Sequence, residues 1–336
     1  MIDTIWIPSE TMREVFLSVL LRQEVEKNRA ERIADIFTAN SVDGVYTHGV
    51  NRFPSFIKQV QKGFVIPNNE PEKVHDFNSL EQWDGKLGAG VLNAVKATDR
   101  AMQLATANGM GLVAMANTNH WMRGGYYGWH AAKSNYVFIG WTNTMANMPA
   151  WGANESRLGN NPLVIGVPFN GEAIVLDMAA SQFSYGALEL ATMKGTELSV
   201  YGGYNKRGEL TKLPSEILES RRTLPMGYWK GAGLSLLLDI LSAILSNGLS
   251  THEITGRKTE YGLSQVFIAI DLKHLKNYSG IETCINQIID DYKGSVAEDG
   301  REIVYPGERV LKDREKNLIN GIPVLKKVWE EIETLL

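Results

Sequence analysis

Residues 90–141 read GVLNAVKATDRAMQLATANGMGLVAMANTNHWMRGGYYGWHAAKSNYVFIGW, and this stretch decides the fold class. Its alanine-rich first part, Gly90 to Asn108, has the packing residues of one long helix, with Asn108-Gly109 as its stop. Gly111 to Ala116 is a short apolar run of strand type. Tyr126 to Lys133 reads as a helix and Tyr136 to Trp141 as a second strand. Strands and helices in alternation predict an α/β layer.

The same alternation continues outward. Leu163 to Val167 and Ala173 to Asp177 read as third and fourth strands, Ser181 to Met193 as a helix and Gln265 to Asp271 as a further strand. Leu234 to Leu245 is the most apolar stretch. Asp239 interrupts it and it is too short to span a bilayer, so a buried helix from Gly231 to Ser246 is expected. Upstream, apolar positions at helical spacing (Val15, Phe16, Val19, Leu20, then Ile33, Ile36, Phe37) predict a helical pair over 10–24 and 27–40. A loop around His48 and a helix from Phe53 to Val60 follow. Residues 196–225 are expected to form a surface loop, and residues 308–336 an amphipathic helical end. The division expected is 1–70, helical, packed with the C-terminal helices; 71–270, the α/β core; and 271–336, helical.

The chain has 336 residues, 44% hydrophobic and 21% charged, with a net charge of −4. That balance, with no long basic run, argues against nucleic acid as a partner. The single cysteine, Cys284, excludes an intrachain disulfide and any multi-cysteine metal site. The opening MIDTIWIPSE has no basic segment followed by an apolar one. No signal peptide is expected, and the reading is a cytoplasmic protein without a membrane partner.

Only six histidines occur, and two sit in notable settings. Thr47-His48-Gly49-Val50-Asn51-Arg52 places an imidazole and a guanidinium four residues apart. Asn117-Thr118-Asn119-His120-Trp121-Met122-Arg123-Gly124-Gly125 places a second such pair after a strand, where open α/β sheets present ligands. A carbonyl acid undergoing reduction needs a proton donor titrating near neutral pH and a fixed cation for its carboxylate. If Arg52 opens the next helix, His48 and Arg52 face one pocket. The plainer alternatives are a histidine satisfied by backbone and an arginine in a surface ion pair. No residues have metal-ligand spacing. A G-x-G-x-x-G string is absent, and Gly88-Ala89-Gly90 and Gly231-Ala232-Gly233 lack its third glycine and context, which disfavours a Rossmann domain. Trp229-Lys230-Gly231 and Pro306-Gly307-Glu308-Arg309 open helices, where free amides favour phosphate.

The strings GVYTHGVNRFPSFI, NTNHWMRGGYYGWHAA, WTNTMANMPAWGA, RLGNNPL, LDMAASQFSYG and LPMGYWKGAGLSLLLD resemble the type-2 malate/L-lactate dehydrogenase family, in the same order from about residue 5 to the C-terminus. The resemblance departs from the family pattern at Ala180, Gln182 and Glu308. It implies an α/β fold with a non-Rossmann NAD(P)-binding mixed sheet and helical N- and C-terminal segments. It implies a homodimeric reductase of a small-molecule 2-oxo acid that uses NADH, with NADPH possible. It makes His48 the catalytic proton donor; the residues themselves put Arg52 on the carboxylate and His120 lining the site. Cofactor contacts are implied at Ala173, Ile174, Val175, Leu176, Asp177, Met178 and Ala179, at Trp229 and Lys230, and at Gly307, Glu308 and Arg309. The expected substrate is a 2,3-dioxo sugar acid, whose hydroxyls Thr47, Asn51, Asn119, His120 and Thr142 would meet. Malate, lactate or a ureido acid, and a non-catalytic sugar-acid binding protein, are the alternatives.

Overall fold

A computed structural model describes residues 3–336. Its centre is a mixed sheet of seven strands: β1 (Glu72–Phe77), β2 (Leu80–Asp84), β3 (Met110–Thr118), β4 (Tyr136–Thr142), β5 (Leu163–Phe169), β6 (Glu172–Met178) and β7 (Leu263–Asp271). The spatial order is β1-β2-β3-β7-β4-β5-β6. Only β2 and β3 run parallel; every other neighbouring pair is antiparallel. A doubly wound nucleotide-binding sheet is parallel, so the non-Rossmann expectation holds.

The stretch 90–141 forms the elements its pattern predicts. The Gly90–Asn108 helix buries twelve residues, among them Val91, Ala94, Ala97 and Ala101. Gly109 ends it with φ 84°, a left-handed position natural to glycine. Gly90 has a packing role: a Cβ there would lie 2.2 Å from the Asn119 carbonyl oxygen. The Gly88-Ala89-Gly90 string therefore lets a helix start close to the end of β3.

The two ends of the chain meet. Strand Thr4–Ile7 pairs antiparallel with strand Ile322–Leu325. Asn317 donates to the Val42 carbonyl at 2.9 Å, and Lys58 pairs with Glu331 at 2.7 Å. Phe16, Phe37 and Phe53, all fully buried, lock the helices Ser9–Arg22, Lys27–Val42 and Phe53–Gln61 together.

β1 and β2 lie in a stretch for which the sequence raises no expectation, since every β1 residue is exposed and no alternation marks it. Three expectations need correction. Residues 196–225 are not a plain loop: they carry strands Gly203–Tyr204 and Leu210–Thr211 and a helix, Pro214–Ser220, whose Ile217 is fully buried against Leu188 and Leu198. Residues 308–336 contain the Ile322–Leu325 strand between the helices Glu308–Asn320 and Lys326–Glu333. The apolar helix runs Trp229–Ser246, 18 residues, long and apolar enough by composition to cross a membrane, and it is not buried. One side packs on the sheet, with Asp239 accepting from Asn143 Nδ2 at 3.0 Å and from the Thr251 amide at 2.8 Å. Leu236, Leu237, Ile240, Leu241 and Ile244 lie exposed, Ile244 at 64%.

Candidate active site

His48 closes a short turn, Tyr46–His48, after the Lys27–Val42 helix. Two bonds pin that turn. Asn40 Nδ2 donates to the His48 carbonyl at 3.1 Å, and the Val50 amide donates to Ser41 Oγ at 2.9 Å. Arg52 stands immediately before the Phe53–Gln61 helix, whose first residue stacks on Phe16 with ring centroids 4.1 Å apart. A buried phenylalanine there fixes where Arg52 sits; its truncation to alanine would cost about 3–5 kcal/mol. His48 and Arg52 line one cleft of about 380 Å³.

His120 enters the same cleft from the end of β3. Its ring lies 5.8 Å from that of His48, tilted by 22°. The Met122 amide donates to His120 Nδ1 at 2.9 Å. In the neutral ring the proton is therefore on Nε2, which makes that atom a donor. Met122 itself holds a left-handed φ of 62°, a strain of about 1 kcal/mol or more. Both imidazoles are half-buried, and their pKa values are lowered from 6.5 to about 3. For His48 burial acts first, then His120, Arg52 and Arg123; for His120, burial and then Arg52. Two neutral rings beside a free guanidinium form a site that awaits negative charge, unlike the near-neutral titration expected from sequence.

Arg123 does not join Arg52. It is buried and paired with Asp43, whose other partner is Arg314 at 2.6 Å. Asn119 and Thr142 are buried as well and are spent on backbone: Asn119 Nδ2 on the Phe64, Leu87 and Gly88 carbonyls, Thr142 Oγ1 on the Asn143 carbonyl. Neither lines the cleft, and nor does Asn51. Trp121 is core, set against Tyr127 and Phe267.

The cleft is also lined by residues from outside the His48 and His120 segments, of which Glu189, Arg221, Lys258 and Glu260 lie in none of the quoted strings. Tyr185, Gly186 and Glu189 come from the Tyr185–Lys194 helix, and Arg221, Lys258 and Glu260 from turns. Arg221 and Lys258 have φ of 54° and 60°. Left-handed backbone at non-glycine residues is a sign of a constrained functional surface, but it leaves no mark in the sequence.

The three segments expected to hold a cofactor converge on the edge of the sheet. Ala173 to Met178 lie on β6, the outer strand, and Ala179 follows it. The Val175 amide donates to the Pro306 carbonyl at 3.0 Å, which seats Gly307 and Arg309 beside mid-strand. Further along, the Met226 amide donates to the Ala180 carbonyl at 2.8 Å, which brings Trp229 and Lys230 to the strand end. The Ala180 amide donates to the Asn160 carbonyl at 2.7 Å, and Asn160 lines the cleft. From Val175 to Met178 is about 10 Å of strand, and Ala179 and Ala180 continue the path past its end, a route that a dinucleotide can follow. No side chain caps the helices starting at Trp229 and Glu308; the Lys230, Gly231, Glu308 and Val310 amides bond backbone carbonyls, so those of Trp229 and Gly307 are the ones that suit phosphate. Trp229 is 65% exposed, an open indole face. Glu308 is otherwise engaged: its carboxylate accepts from the Tyr305 amide at 3.1 Å and pairs with Lys293. The residues present therefore fit a dinucleotide without a glycine fingerprint.

Comparison with known proteins gives the family and agrees with the fold. A family model described as malate/L-lactate dehydrogenase matches residues 7–333. The 2,3-diketo-L-gulonate reductase of Klebsiella pneumoniae (strain 342) is 44% identical over 326 residues, 96% of this chain and 98% of the relative. That of Pasteurella multocida (strain Pm70) is 45% identical over 328 residues, 97% and 98% of the two chains. Among solved structures, malate dehydrogenase from Entamoeba histolytica superposes with a TM-score of 0.93 at 25% identity, over 99% of this chain and 97% of that one. Sulfolactate dehydrogenase from Methanocaldococcus jannaschii superposes at 0.87 with 28% identity, over 98% and 96%.

Proposed function

The chain belongs to the malate/L-lactate dehydrogenase family and is an oxidoreductase, and from that premise we propose that it reduces 2,3-diketo-L-gulonate to 3-keto-L-gulonate with NADH. The near-full-length identity to relatives named for that reaction carries the reading. The cleft that joins His48, His120 and Arg52 supports it.

In this reading Arg52 holds the substrate carboxylate with a planar fork. The C2 carbonyl lies between the two imidazoles. The bound cofactor supplies hydride to C2. His48 gives a proton to the developing alkoxide, and His120 Nε2–H steadies the same oxygen. The substrate's negative charge raises the His48 pKa, so that the ring takes up a proton from solvent on binding and the acid forms only when it is needed. Lys230 and the amides at Trp229 and Gly307 would hold the cofactor's phosphates beside β6, and the exposed Trp229 indole would offer it an apolar face. The exposed stripe from Leu236 to Ile244 is the face of a homodimer in the cytoplasm, since a patch of that kind marks an interface.

Initial rates of NADH loss with 2,3-diketo-L-gulonate, pyruvate and oxaloacetate test the assignment. The expected preference in kcat/KM for the sugar acid is about two orders of magnitude. Comparable or better activity on oxaloacetate would make it a malate dehydrogenase.

A further inference from the structure

The cleft has a second wall that the reaction at C2 does not use. The Tyr185–Lys194 helix is seated against the His48 turn, since a Cβ on Gly186 would lie 2.8 Å from Thr47 Cβ. Tyr185 and Glu189 are one helical turn apart and share a face. Both line the cleft, together with Arg221. Burial raises the Tyr185 pKa, while Arg221 lowers and Glu189 raises it, so both charges lie near its hydroxyl. Yet neither Glu189 nor Arg221 forms an ion pair among the described residues, and the Tyr185 hydroxyl has no hydrogen bond. An acceptor, a cationic donor and a hydroxyl are thus left unspent at the mouth of the cleft. Serine 156 holds the Arg221 backbone in its left-handed turn through Oγ donating to the Arg221 carbonyl at 2.5 Å.

We propose that Glu189 and Arg221, set on either side of Tyr185, are the specificity-determining residues that bind the hydroxylated tail of the substrate. This rests on the sugar-acid reading above. With the carboxylate on Arg52 and C2 beside His48, the rest of a six-carbon acid extends toward the mouth. Glu189 accepts from tail hydroxyls, and Arg221 donates to their oxygens. A three-carbon 2-oxo acid has no hydroxylated tail to offer them. The two charges also explain selection without a matching anionic tail: one accepts and one donates, and the pair adds no net charge. Both side chains are exposed, so a shorter acid leaves them to water, and the discrimination comes from the bonds that a hydroxylated tail gains.

Glu189→Leu, Arg221→Leu and Glu189→Gln test the assignment in the full-length enzyme, with 2,3-diketo-L-gulonate and pyruvate as paired substrates. Each leucine variant is expected to lose about tenfold or more in kcat/KM for the sugar acid, with pyruvate changed less than about twofold and NADH affinity unchanged. Glu189→Gln keeps an acceptor and is expected to recover part of the loss. Equal loss on both substrates, which a structural role would give, overturns the proposal. So does weakened NADH binding in Arg221→Leu with the substrate ratio intact, since Arg221 would then serve the cofactor. A preference kept in all three variants overturns this proposal alone. A wild-type enzyme with no preference for the sugar acid overturns the substrate reading too.

Discussion

Varying pH at saturating NADH tests how His48 becomes an acid. In the free protein burial, His120, Arg52 and Arg123 hold its pKa at about 3. A carboxylate about 4 Å from the ring contributes about 4 kcal/mol at an effective dielectric near 20, or about three pKa units. The substrate complex should therefore titrate near pH 6. Because kcat/KM reports the free enzyme and kcat the complex, kcat/KM for reduction should fall roughly tenfold per pH unit from about pH 5 to 8. The kcat profile should instead be flat below about pH 6 and fall above it. Calorimetry gives an independent reading. Oxamate, a 2-oxo acid mimic, should bind at pH 6 with uptake of about half a proton, seen as a binding enthalpy that varies with buffer ionisation enthalpy. His48→Asn should abolish the uptake and most turnover. A kcat/KM plateau between pH 5 and 7, or oxamate binding with no proton uptake, would refute the argument.

Acid should also unfold this protein earlier than its carboxylates alone would. Both cleft histidines drop from 6.5 to about 3 on folding, so stability is intact above pH 6.5 and is lost as pH falls below it, by about 2 kcal/mol per histidine at pH 5. Urea titrations of His120→Asn at pH 7 and 5 should show a difference smaller by that amount. Arg52→Lys should lower kcat/KM for 2-oxo acids by about 100-fold, with NADH affinity unchanged in a fluorescence titration; equal loss of NADH binding would remove Arg52 from the substrate. Lys230→Ala should raise the NADH dissociation constant and leave the melting temperature where it is, because the side chain is exposed at a helix start. Leu237→Asp with Ile244→Asp should shift the protein from dimer to monomer on a sizing column, and a wild type that already elutes as a monomer would dispose of that interface.

The long helix and strands of 90–141 are legible because each is continuous and periodic, and the His48–Arg52 spacing is legible because it lies within one turn and one helix start. β1 is not, because EKVHDF is exposed throughout and backbone pairing alone makes it a strand. The order 196–225 hides for another reason: Leu198, Ile217 and Leu224 are buried singly, with no period between them. The Trp229–Ser246 helix misleads because apolar residues all round look the same whether the far side meets the core or a second chain. In the cleft, His120 could be found from its place after a strand. Glu189, Arg221 and Lys258 could not, because single charged residues on a helix face or a turn look like any solvated surface.

Charge pairing decides which cations serve structure and which serve ligand. The sequence offers Arg52 and Arg123 as equals, each four or fewer residues from a histidine. Folding separates them: Asp43 lies buried between Arg123 and Arg314 and neutralises both in part. A buried guanidinium without that partner would cost several kcal/mol, so Arg123 cannot be released to a substrate. Its remaining effect is a field that helps keep His48 neutral. Arg52 has no carboxylate within ion-pair distance among the described residues and faces the cleft. A cation left unpaired at a concave surface is unfavourable to the free protein beside two neutral imidazoles, and that strain is relieved only when an anion arrives. In the proposed reaction the carboxylate that satisfies Arg52 also raises the His48 pKa, which would make binding and acid formation one electrostatic event.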